Sequence, residues 1–554
     1  MKFSSSKIII NSLINENVEF IFGYPGGAVL NIYDEIFKSG IKHILVRHEQ
    51  SAIHMADGYS RSSNKIGVVI VTSGPGYTNC VTGIATASID YSSIIILCGQ
   101  VNKILIAQNS FQELNNLSIS LPIVKQFYSL NCYYNIPYLI KESFSNSLNF
   151  INGPIIINFP KDLTYFKNTS RYKYPFFLKK KKNIKEKTFN INNYKRPIII
   201  IGGGFFKNYK NKNIENLILN TKIPIVSTIM GIGKINYRKL NYLGWIGMHG
   251  NSVSNIILNF ADLIICLGSR LDDRITNNPR LFAPYAKILH FDINDNSISK
   301  TIFCNFFFKN INFIKEFSLK LNKKWWKIIL FYKKFFLNNY KNNFKICLPQ
   351  QIIELVYFVS KGKYFISTDV GQHQMFAAKY YYYNYKRFLT SSGLGTMGFG
   401  LPSSIGIKFA NKNNSILLIT SESSFQMMMQ ELSTCKQYSI NIKILNLNNQ
   451  SLGMVKQWQE LNYYKRYSSS YMNSIPNFKK LMFSYLFHCF NFFNIKLFYY
   501  FFISIFKKDI FCFINIYINI NENVLPIQIN NKSVNEFIAF FSKIKYENKI
   551  NLFI

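Results

Sequence analysis

Two groups of polar residues in the last third of the chain follow apolar segments. The triplet Ser-Glu-Ser at 421–423 comes directly after the apolar run 416–420, and Asn448 and Asn449 come after the run 442–447. Short apolar runs predict buried parallel strands, and ligands of open α/β sheets bind at the carboxyl ends of such strands. Carboxylate and carboxamide oxygens can hold a divalent cation such as Mg²⁺. An ordinary strand-helix-strand unit with polar turns explains the same residues, so the spacing alone leaves both interpretations open.

A further candidate for chemistry is Glu49, in the segment HILVRHEQSAIHMADGYSR. It follows a predicted strand at 43–46 and begins a predicted helix whose small apolar face contains Ala52 and Ala56. An acid in this position can serve in acid-base catalysis. It can equally be structural, because a carboxylate in the first turn of a helix is stabilised by the helix dipole.

The elements that position these residues belong to a chain of 554 residues, 48% of them hydrophobic, which is long enough for about three domains. Stretches rich in Lys and Asn at 166–194 and 309–344 separate three segments in which strand and helix patterns alternate. Alternation of this kind predicts α/β domains with parallel sheets. We therefore predict three doubly wound parallel-sheet domains, at 1–165, 190–330 and 345–530.

The formal net charge of +38 would suit a nucleic-acid or anionic membrane partner. The lysines are scattered among Asn, Ile, Phe and Tyr, however, and form no single patch. All five residue types have A/T-rich codons, so compositional drift explains the charge together with the 36 Tyr and 51 Phe residues. We therefore expect neither nucleic acid nor membrane as a partner.

The nine cysteines are isolated, with no CxxC pair and no histidine spacing suited to zinc, which predicts a reducing, cytoplasmic location. The N-terminal segment has only three consecutive apolar residues before polar ones return, too few for a secretory signal, and predicts a first helix. The most apolar run, 497–506, is far shorter than the roughly 20 residues that span a bilayer and predicts core structure.

Several segments together resemble the acetohydroxyacid synthase (acetolactate synthase) catalytic subunits, thiamine-diphosphate (ThDP) enzymes of branched-chain amino-acid synthesis. The resemblance runs from about Val18 to Trp458 and is carried by FGYPGGAVLNIYDEI, TSGPGYTNCVTGIATA, TDVGQHQMFAAKYY, SSGLGTMGFGLPSSIG, SFQMMMQEL and LNNQSLGMVKQWQEL. It implies a pyrimidine-binding domain, a central FAD-associated domain and a diphosphate-binding domain. The implied reaction is the decarboxylating condensation of pyruvate with a second 2-oxoacid, either pyruvate or 2-oxobutanoate.

In this family Mg²⁺ holds the diphosphate, and the resemblance implies three ligands here: Glu422, the side chain of Asn449 and the carbonyl of Ser451. The family carries Gly-Asp-Gly where this chain has Ser421, Glu422 and Ser423. Glycines let backbone N–H groups approach phosphate and tolerate positive φ, and glutamate adds one methylene of reach. Mg²⁺ constrains its ligand geometry tightly. We therefore expect a metal site that is retained but weaker.

The resemblance assigns ThDP contacts in the first and third domains. Glu49 would hydrogen-bond N1′ of the aminopyrimidine and favour the tautomer that removes the C2 proton. The carbonyl of Gly395 would meet the 4′-amino group, and Met397 would support the bent cofactor from beneath. The other implied ThDP contacts are Gly26, Pro75, Val370, Gly371, Gln372 and His373.

Around the substrate, the resemblance implies polar and cationic residues that suit the carboxylates of two 2-oxoacids. A lone Lys or Arg is usually a solvated charge, but a guanidinium within a long match can bind a carboxylate bidentately. Trp458 would form a flat apolar wall that favours 2-oxobutanoate as acceptor. The implied catalytic residues are Glu49, Gln112, Lys125, Arg274 and Trp458, with Phe111, Met248, Met454 and Val455 beside them.

Four loops of the central segment resemble FAD-binding loops of the family: GGG at 202–204, GMHGN at 247–251, GSRLDDR at 268–274 and HFDIN at 290–294. Ile151 stands where the family has an arginine, which removes one expected contact. The implied FAD contacts are Gly203, Met248, His249, Gly250, Gly268, Arg270, Asp272, Arg274, Asp292 and Ile293.

The resemblance also implies a homodimer with active sites at the subunit interface, because the pyrimidine-binding Glu49 and the diphosphate-binding Glu422 would come from different subunits. Small 2-oxoacids are the implied substrates, and a regulatory small subunit is a further partner to consider. Three alternatives stay open. The chain could be another ThDP-dependent decarboxylase or oxidase, against which Trp458 argues; a weakly active or non-catalytic remnant, which Ser421 and Ile151 support; or a nucleic-acid-binding protein, which only the charge supports.

Overall fold

The computed structural model describes residues 3–149, 151–165, 167–168, 174–175, 193–205, 221–235, 240–308, 322–336, 347–384, 387–539 and 542–544. Within them lie three six-stranded sheets, and every strand pair in these sheets is parallel. The predicted α/β class with three parallel sheets is confirmed. Most of the two Lys/Asn-rich stretches that were predicted to separate the domains lies outside the described residues.

The first sheet is built from short runs rich in Ile and Val that are buried on both faces, as parallel strands under two helical layers must be. Its strands, in order across the sheet, are Lys42–Leu45, Phe20–Gly23, Gly67–Val71, Ile94–Gln100, Ile155–Pro160 and Gln126–Ser129. Its α-helices are Ser5–Asn15, Leu30–Phe37, Glu49–Ser63, Pro75–Thr78, Val81–Ile89, Asn116–Ser120, Ile136–Leu148 and Lys161–Tyr165, with 3₁₀ turns at Lys103–Leu105 and Tyr133–Asn135. Phe3–Ser4 pairs with Lys167–Asn168 in a small antiparallel ribbon. The predicted first helix and the predicted helix start at Glu49 are both confirmed.

The central sheet has the same construction, with the run PIIII as an inner strand. Its strands, in order, are Tyr242–Trp245, Ile225–Ser227, Pro197–Ile201, Leu263–Leu267, Lys287–Phe291 and Phe306–Phe308. Its α-helices are Ser252–Asn259, Asp273–Thr276 and Lys323–Phe335, with 3₁₀ turns at Ile229–Gly231 and Asp295–Ser297. Three of the glycine- and acid-containing loops named above therefore leave the carboxyl ends of neighbouring strands.

The third sheet carries the polar triplet and the two asparagines at adjacent strand ends. Its strands, in order, are Phe388–Leu389, Phe365–Thr368, Ile416–Thr420, Lys443–Asn448, Cys512–Tyr517 and His488–Phe492. Its α-helices are Pro349–Ser360, Gln372–Tyr380, Gly400–Ala410, Glu422–Gln426, Leu432–Gln437, Gly453–Asn462, Phe478–Ser484 and Ile495–Ile505, with a 3₁₀ turn at Met429–Glu431. The register pairs Thr420 with Asn446, so both polar ends lie at the same edge of the sheet.

The first and third sheets share one hydrophobic core, and the helices Glu49–Ser63 and Gly400–Ala410 cross at its centre. Two glycines allow the crossing. A Cβ atom at Gly58 would lie 2.2 Å from the carbonyl oxygen of Ser403, and one at Gly406 would lie 1.9 Å from that of Met55. The two backbones therefore approach more closely than any side chain at these positions would permit.

The segment after the last strand of the third sheet connects that sheet to the central one. The backbone N–H of Gln528 donates to the carbonyl of Met248 at 2.9 Å, and the side chain of Asn277 donates to the carbonyl of Ile529 at 2.7 Å. Strands Ile527–Gln528, Phe537–Ala539 and Ser542–Ile544 form a small antiparallel sheet there.

The aromatic run near the C-terminus forms the helix Ile495–Ile505, which buries Phe498 and Phe502 against the third sheet and exposes Leu497 and Tyr500. It is thus core structure on one face, as predicted. Among the described residues, no helix combines the length and the apolar character needed to cross a membrane.

Candidate active site

The acid of the polar triplet and the loop after the two asparagines meet at the sheet edge. Glu422 begins a short helix and is fully buried; its Oε1 accepts a hydrogen bond from the N–H of Ser451 at 3.0 Å. The same N–H also donates to Oδ1 of Asn449 at 3.1 Å. The structure therefore brings the three predicted metal ligands together.

The second carboxylate oxygen of Glu422 is buried without a hydrogen-bond partner, and so is the hydroxyl of Ser451. Burial raises the pKa of the Glu422 carboxyl to about 7, although several backbone N–H groups oppose the shift. A buried carboxylate is costly unless a cation or a proton compensates its charge, and Mg²⁺ takes carboxylate, carboxamide and carbonyl oxygens. The residues present therefore fit a magnesium ion.

The two serines beside Glu422 adopt ordinary backbone conformations. Ser421 has φ −125° and ψ 165°, and Ser423 is not among the residues with positive φ. The expected conformational cost of losing glycine is therefore not present. What the serines add is volume: their hydroxyls lie 3.3 Å apart, and both residues line the cavity beside the acid.

That cavity encloses about 100 Å³ at the carboxyl edge of the third sheet. Two longer helices, Gln372–Tyr380 and Gly453–Asn462, begin at its wall. Helix N-termini present free N–H groups and the positive end of the helix dipole, which favour phosphate oxygens. The lining residues are Val370, Gly371, Gln372, His373, Phe376, Met397, Ser421, Ser423, Leu447, Asn449, Ser451, Leu452, Gly453, Met454, Val455 and Ile518. The cavity thus combines the edge at Glu422 with two helix N-termini.

The predicted diphosphate contacts divide by how their side chains are used. His373 is buried, and its Nε2 has no hydrogen-bond partner; burial lowers its pKa to about 3, although a hydrogen bond to the backbone of Asp369 opposes the shift, so its ring is neutral. The side-chain amide of Gln372 is instead bonded entirely to protein: it accepts from Asn449 and donates to Gln457 and to the carbonyl of Glu522. Of the polar groups of Gln372, only the backbone could therefore contact a cofactor.

Gly395 and Met397 lie at this edge, on the loop that leads into the helix Gly400–Ala410. Gly395 has φ +73°, where glycine is favoured, and a Cβ there would lie 3.9 Å from Val370. Asp369, which the sequence reasoning missed, holds this loop in place. Its buried carboxylate accepts from the N–H of Gly400 and from the hydroxyl of Thr420, each at 2.9 Å. An acid at the end of the strand Phe365–Thr368 was the available signal.

Glu49 lies in the first domain, at the N-terminus of its helix, and is not among the residues that line the cavity. It is buried, and its Oε2 accepts from the side chain of Asn79 at 2.9 Å. A Cβ at Gly76 would lie 3.4 Å from Oε1. Pro75 begins the short helix beside it, and Gly26 packs against Thr72 of the neighbouring loop. These residues form a second group, none of which lines the cavity beside Glu422.

The predicted substrate residues are not gathered in one place within the chain. Lys125 donates to the backbone carbonyls of Asn146, Asn149 and Ile151, which follow or end a helix, and burial lowers its pKa to about 8. Its ammonium is therefore satisfied by protein. Gln112 lies in a turn with φ +60° in contact distance of Gly74.

On the other side, the Arg274 side chain is 67% exposed; its Nε lies 3.7 Å from Oδ2 of Asp273, and its guanidinium contacts the sulfur of Met248 at 3.3 Å. Trp458 is half-buried on the helix whose first residues, Met454 and Val455, line the cavity. The guanidinium of Arg274 is thus exposed and paired with Asp273, and Trp458 lies one helical turn beyond the cavity wall.

The central loops bring their glycines and acids to one edge of the sheet. Gly268 has φ +63°, which favours glycine. A Cβ at Gly202 would lie 2.1 Å from the carbonyl oxygen of Gly268, so position 202 needs glycine as well. Gly203 lies between Gly202 and Gly204, both of which approach Gly268. Arg270 stacks over Tyr91 at 5.7 Å and contacts Asp272 at 3.4 Å. Of the remaining predicted flavin contacts, His249 and Gly250 are buried, while Asp292 and Ile293 are partly buried.

Three family models match the chain in order along its length. They are described as the thiamine pyrophosphate enzyme N-terminal TPP binding domain (residues 4–119), central domain (186–308) and C-terminal TPP binding domain (369–496). Each match covers most of one of the parallel sheets described above.

Curated proteins similar to the chain are acetolactate synthase large subunits. That of Buchnera aphidicola subsp. Schizaphis graminum is 41% identical over 510 residues, which cover 87% of this chain and 88% of the relative. That of Haemophilus influenzae is 40% identical over 508 residues, with 87% and 89% covered. The isozyme 3 large subunit of Escherichia coli is 38% identical over 503 residues, with 86% and 88% covered.

Proposed function

The chain belongs to the acetolactate synthase large subunits within the thiamine pyrophosphate enzyme family, and we propose that its reaction takes place at the cavity beside Glu422. Its function is the decarboxylating condensation of pyruvate with a second 2-oxoacid, in the synthesis of branched-chain amino acids. The observation that carries the proposed location is the unpaired, buried Oε2 of Glu422, at a sheet edge where two helices also begin.

We assign Mg²⁺ to Glu422, Asn449 and the carbonyl of Ser451, and the diphosphate to the helix N-termini at Gln372 and Gly453. When bound, thiamine diphosphate supplies the electron sink that stabilises a carbanion next to the lost carboxylate. The protein's own part is orientation and exclusion of water. The neutral ring of His373 and the side chain of Met397 form part of the cavity wall.

The role of Glu49 follows from its placement as a buried carboxylate that is oriented by Asn79. A carboxylate so held can exchange a proton or a hydrogen bond with a ring nitrogen at a fixed position, which contributes about 10² to 10⁴ in rate. Within one chain it does not line the diphosphate cavity. We therefore propose a homodimer in which Glu49 of one subunit faces the cavity of the other.

FAD is proposed for the central edge formed by the loops at 202–204, 247–251, 268–274 and 290–294. The two close glycine contacts and the positive φ of Gly268 provide a backbone surface that a flat or phosphorylated group can approach. Asp272 and Asp292 can accept hydrogen bonds from ribose or ribityl hydroxyls. Such a flavin would serve a structural role.

The relatives are named large subunits, which implies a small regulatory partner for them. We propose the same kind of partner for this chain. We also propose a cytoplasmic location, in keeping with its cysteines, all nine of which are free thiols.

The test is a titration of the purified protein with ThDP at saturating Mg²⁺ and again in excess chelator, followed by product analysis with pyruvate. We expect saturable, Mg²⁺-dependent binding and formation of acetolactate. Glu422→Gln should lower the apparent Mg²⁺ affinity at least about 10-fold, so that binding needs more Mg²⁺, and should form no acetolactate, whereas Gln459→Leu, on the helix that begins at the cavity, should keep native binding and product formation. Acetyl phosphate or hydrogen peroxide as product would instead identify an oxidase. Absence of ThDP binding that returns in Ser421→Gly/Ser423→Gly would identify a remnant.

A further inference from the structure

Three side-chain amides form a continuous hydrogen-bonded chain behind the metal position. Asn449 donates from Nδ2 to Oε1 of Gln372 at 3.3 Å, and Gln372 donates from Nε2 to Oε1 of Gln457 at 2.9 Å. Gln457 is fully buried, and the other two are less than a tenth exposed. The chain ends on the backbone of Val524, in the segment that connects the third sheet to the central one.

Val524 determines the direction of the whole chain. Its N–H donates to Oε1 of Gln457 at 2.9 Å, and its carbonyl accepts from Nε2 of Gln457 at 3.0 Å. A backbone N–H can only donate and a carbonyl can only accept, so the Gln457 amide can point only one way. The atom that Gln457 presents to Gln372 must then be its oxygen. Gln372 must therefore donate from its nitrogen.

The orientation of Asn449 is fixed in the same way. The nitrogen of Gln372 is held a second time by the carbonyl of Glu522 at 3.2 Å, so its oxygen faces Asn449. Asn449 must therefore turn its nitrogen toward Gln372 and its oxygen away, toward the N–H of Ser451, which also donates to the carboxylate of Glu422. Only the oxygen of a carboxamide can bind a metal ion.

Gly453 provides the space for this arrangement. A Cβ at that position would lie 2.1 Å from Oε1 of Gln372 and 2.7 Å from Nδ2 of Asn449, so any side chain would separate the two amides. The residue that begins the phosphate-facing helix is thus also the one that leaves room for the amide chain.

We propose that Gln457 and Gln372 are positioning residues that hold the oxygen of Asn449 toward the metal ion, with the backbone of Val524 as the fixed reference. The proposal rests on the assignment of Mg²⁺ to Asn449 made above. It makes the orientation of one metal ligand depend on the docking of the C-terminal segment 519–528, which also contacts the central domain through Gln528 and Met248.

The test is a double-mutant cycle between Gln457→Leu and Asn449→Asp. The readout is the Mg²⁺ concentration that half-saturates ThDP binding to the full-length protein, measured by calorimetry. In the native background, loss of Gln457 leaves the Gln372 amide oriented only by its longer bond to the carbonyl of Glu522, and we expect the apparent Mg²⁺ affinity to fall about 10-fold, as for other groups that orient metal ligands.

In the Asn449→Asp background the expectation differs, because a carboxylate presents oxygen whichever way it turns. The introduced carboxylate would also face the oxygen of Gln372, which Gln457 prevents from turning. Gln457→Leu should therefore leave the affinity unchanged or improve it. An equal loss in both backgrounds would overturn the proposal, since a general packing role is independent of the residue at position 449. No loss in the native background would overturn it as well.

Gln459→Leu is the matched control, since it removes an amide from the same helix that is bonded only to the carbonyl of Ser468, and it should not change the affinity. If Gln457→Leu fails to fold, Gln457→Met removes the same hydrogen bonds with an unbranched chain and takes its place. If the native protein shows no Mg²⁺-dependent ThDP binding, the proposed function fails. The cycle is then run in Ser421→Gly/Ser423→Gly, where the same two outcomes decide the orientation proposal.

Discussion

The backbone N–H of Ser451 donates to the carboxylate of Glu422 at 3.0 Å, across 29 positions of sequence. This bond leaves one oxygen of Glu422 free and unpaired, while the same N–H orients Asn449. The proposed metal position is therefore assembled from the protein's own hydrogen bonds. Substitutions around this hydrogen bond should change Mg²⁺ affinity by changing the space or the charge beside Glu422.

Restoring the family's triplet should strengthen metal binding. In Ser421→Gly/Glu422→Asp/Ser423→Gly the two hydroxyls that now occupy the cavity wall are removed and the acid is shortened. We expect the Mg²⁺ concentration for half-saturation of ThDP binding to fall about 10-fold. Ser439→Gly, in an exposed turn with φ +50°, is the control and should not change it. Weaker binding in the triple variant would show that the serines contribute to the site.

Metal binding should depend on pH through Glu422. Burial raises the pKa of this carboxyl from 4.5 to about 7 in the metal-free protein. Between these values the folded protein keeps a proton that the unfolded chain has lost, so metal-free stability falls as pH rises from about 4.5 to 7. Mg²⁺ needs the ionised carboxylate, so its apparent affinity should instead fall below pH 7, by up to about 10-fold per pH unit.

The measurement for this pH dependence is a Mg²⁺ titration at saturating ThDP at pH 6, 7 and 8. Glu422→Gln supplies the control, because ThDP phosphate also titrates in this range while glutamine does not. The difference between the two pH profiles then measures how the ionisation of Glu422 changes Mg²⁺ affinity. Parallel profiles for the native protein and the variant would contradict the assignment of the metal to this carboxylate.

Two inactive variants should restore activity when combined. If Glu49 acts on the cavity of the partner subunit, a mixed dimer of Glu49→Gln with Glu422→Gln contains one site in which both acids are native. We expect co-expression with two affinity tags, followed by sequential purification, to give mixed dimers with clear acetolactate synthase activity. Each homodimer alone serves as the control. Inactive mixed dimers would mean that both acids act within one chain.

The helix crossing between the first and third domains should be sensitive to a single methyl group. Gly406→Ala places a Cβ 1.9 Å from the carbonyl oxygen of Met55, so two backbones must separate. We expect a loss of about 2 kcal/mol in the free energy of unfolding, measured by denaturant titration. Gly40→Ala, whose Cβ would have no atom within 4 Å, is the matched control and should be close to native. An unchanged midpoint for Gly406→Ala would show that the helices can shift apart.

Much of the fold could be predicted because its signals are local. The runs at 416–420 and 442–447 are buried throughout and mostly apolar, with Thr420, Lys443 and Asn446 as the polar exceptions, and this pattern is typical of a strand buried on both faces. The helix start at Glu49 was likewise readable from the strand before it and the small residues after it. The motifs then identified the family, and the comparisons confirmed it.

Other features could not be predicted because they depend on partners that are distant in the chain. The backbone of Ser421 proved to be extended, so the loss of glycine there affects volume and not conformation. Lys125 proved to be bonded to three backbone carbonyls of a helix end and the loop after it, which no spacing of charged residues indicates.

The sequence by itself determined which acids and amides reach the carboxyl edge of the third sheet, because strand length and apolar pattern are properties of neighbouring residues. Only the tertiary structure decided which way those amides point. A carboxamide has a donor and an acceptor of nearly the same shape, and its direction depends on a fixed partner. For Asn449 that partner is the backbone of Val524, reached through Gln372 and Gln457.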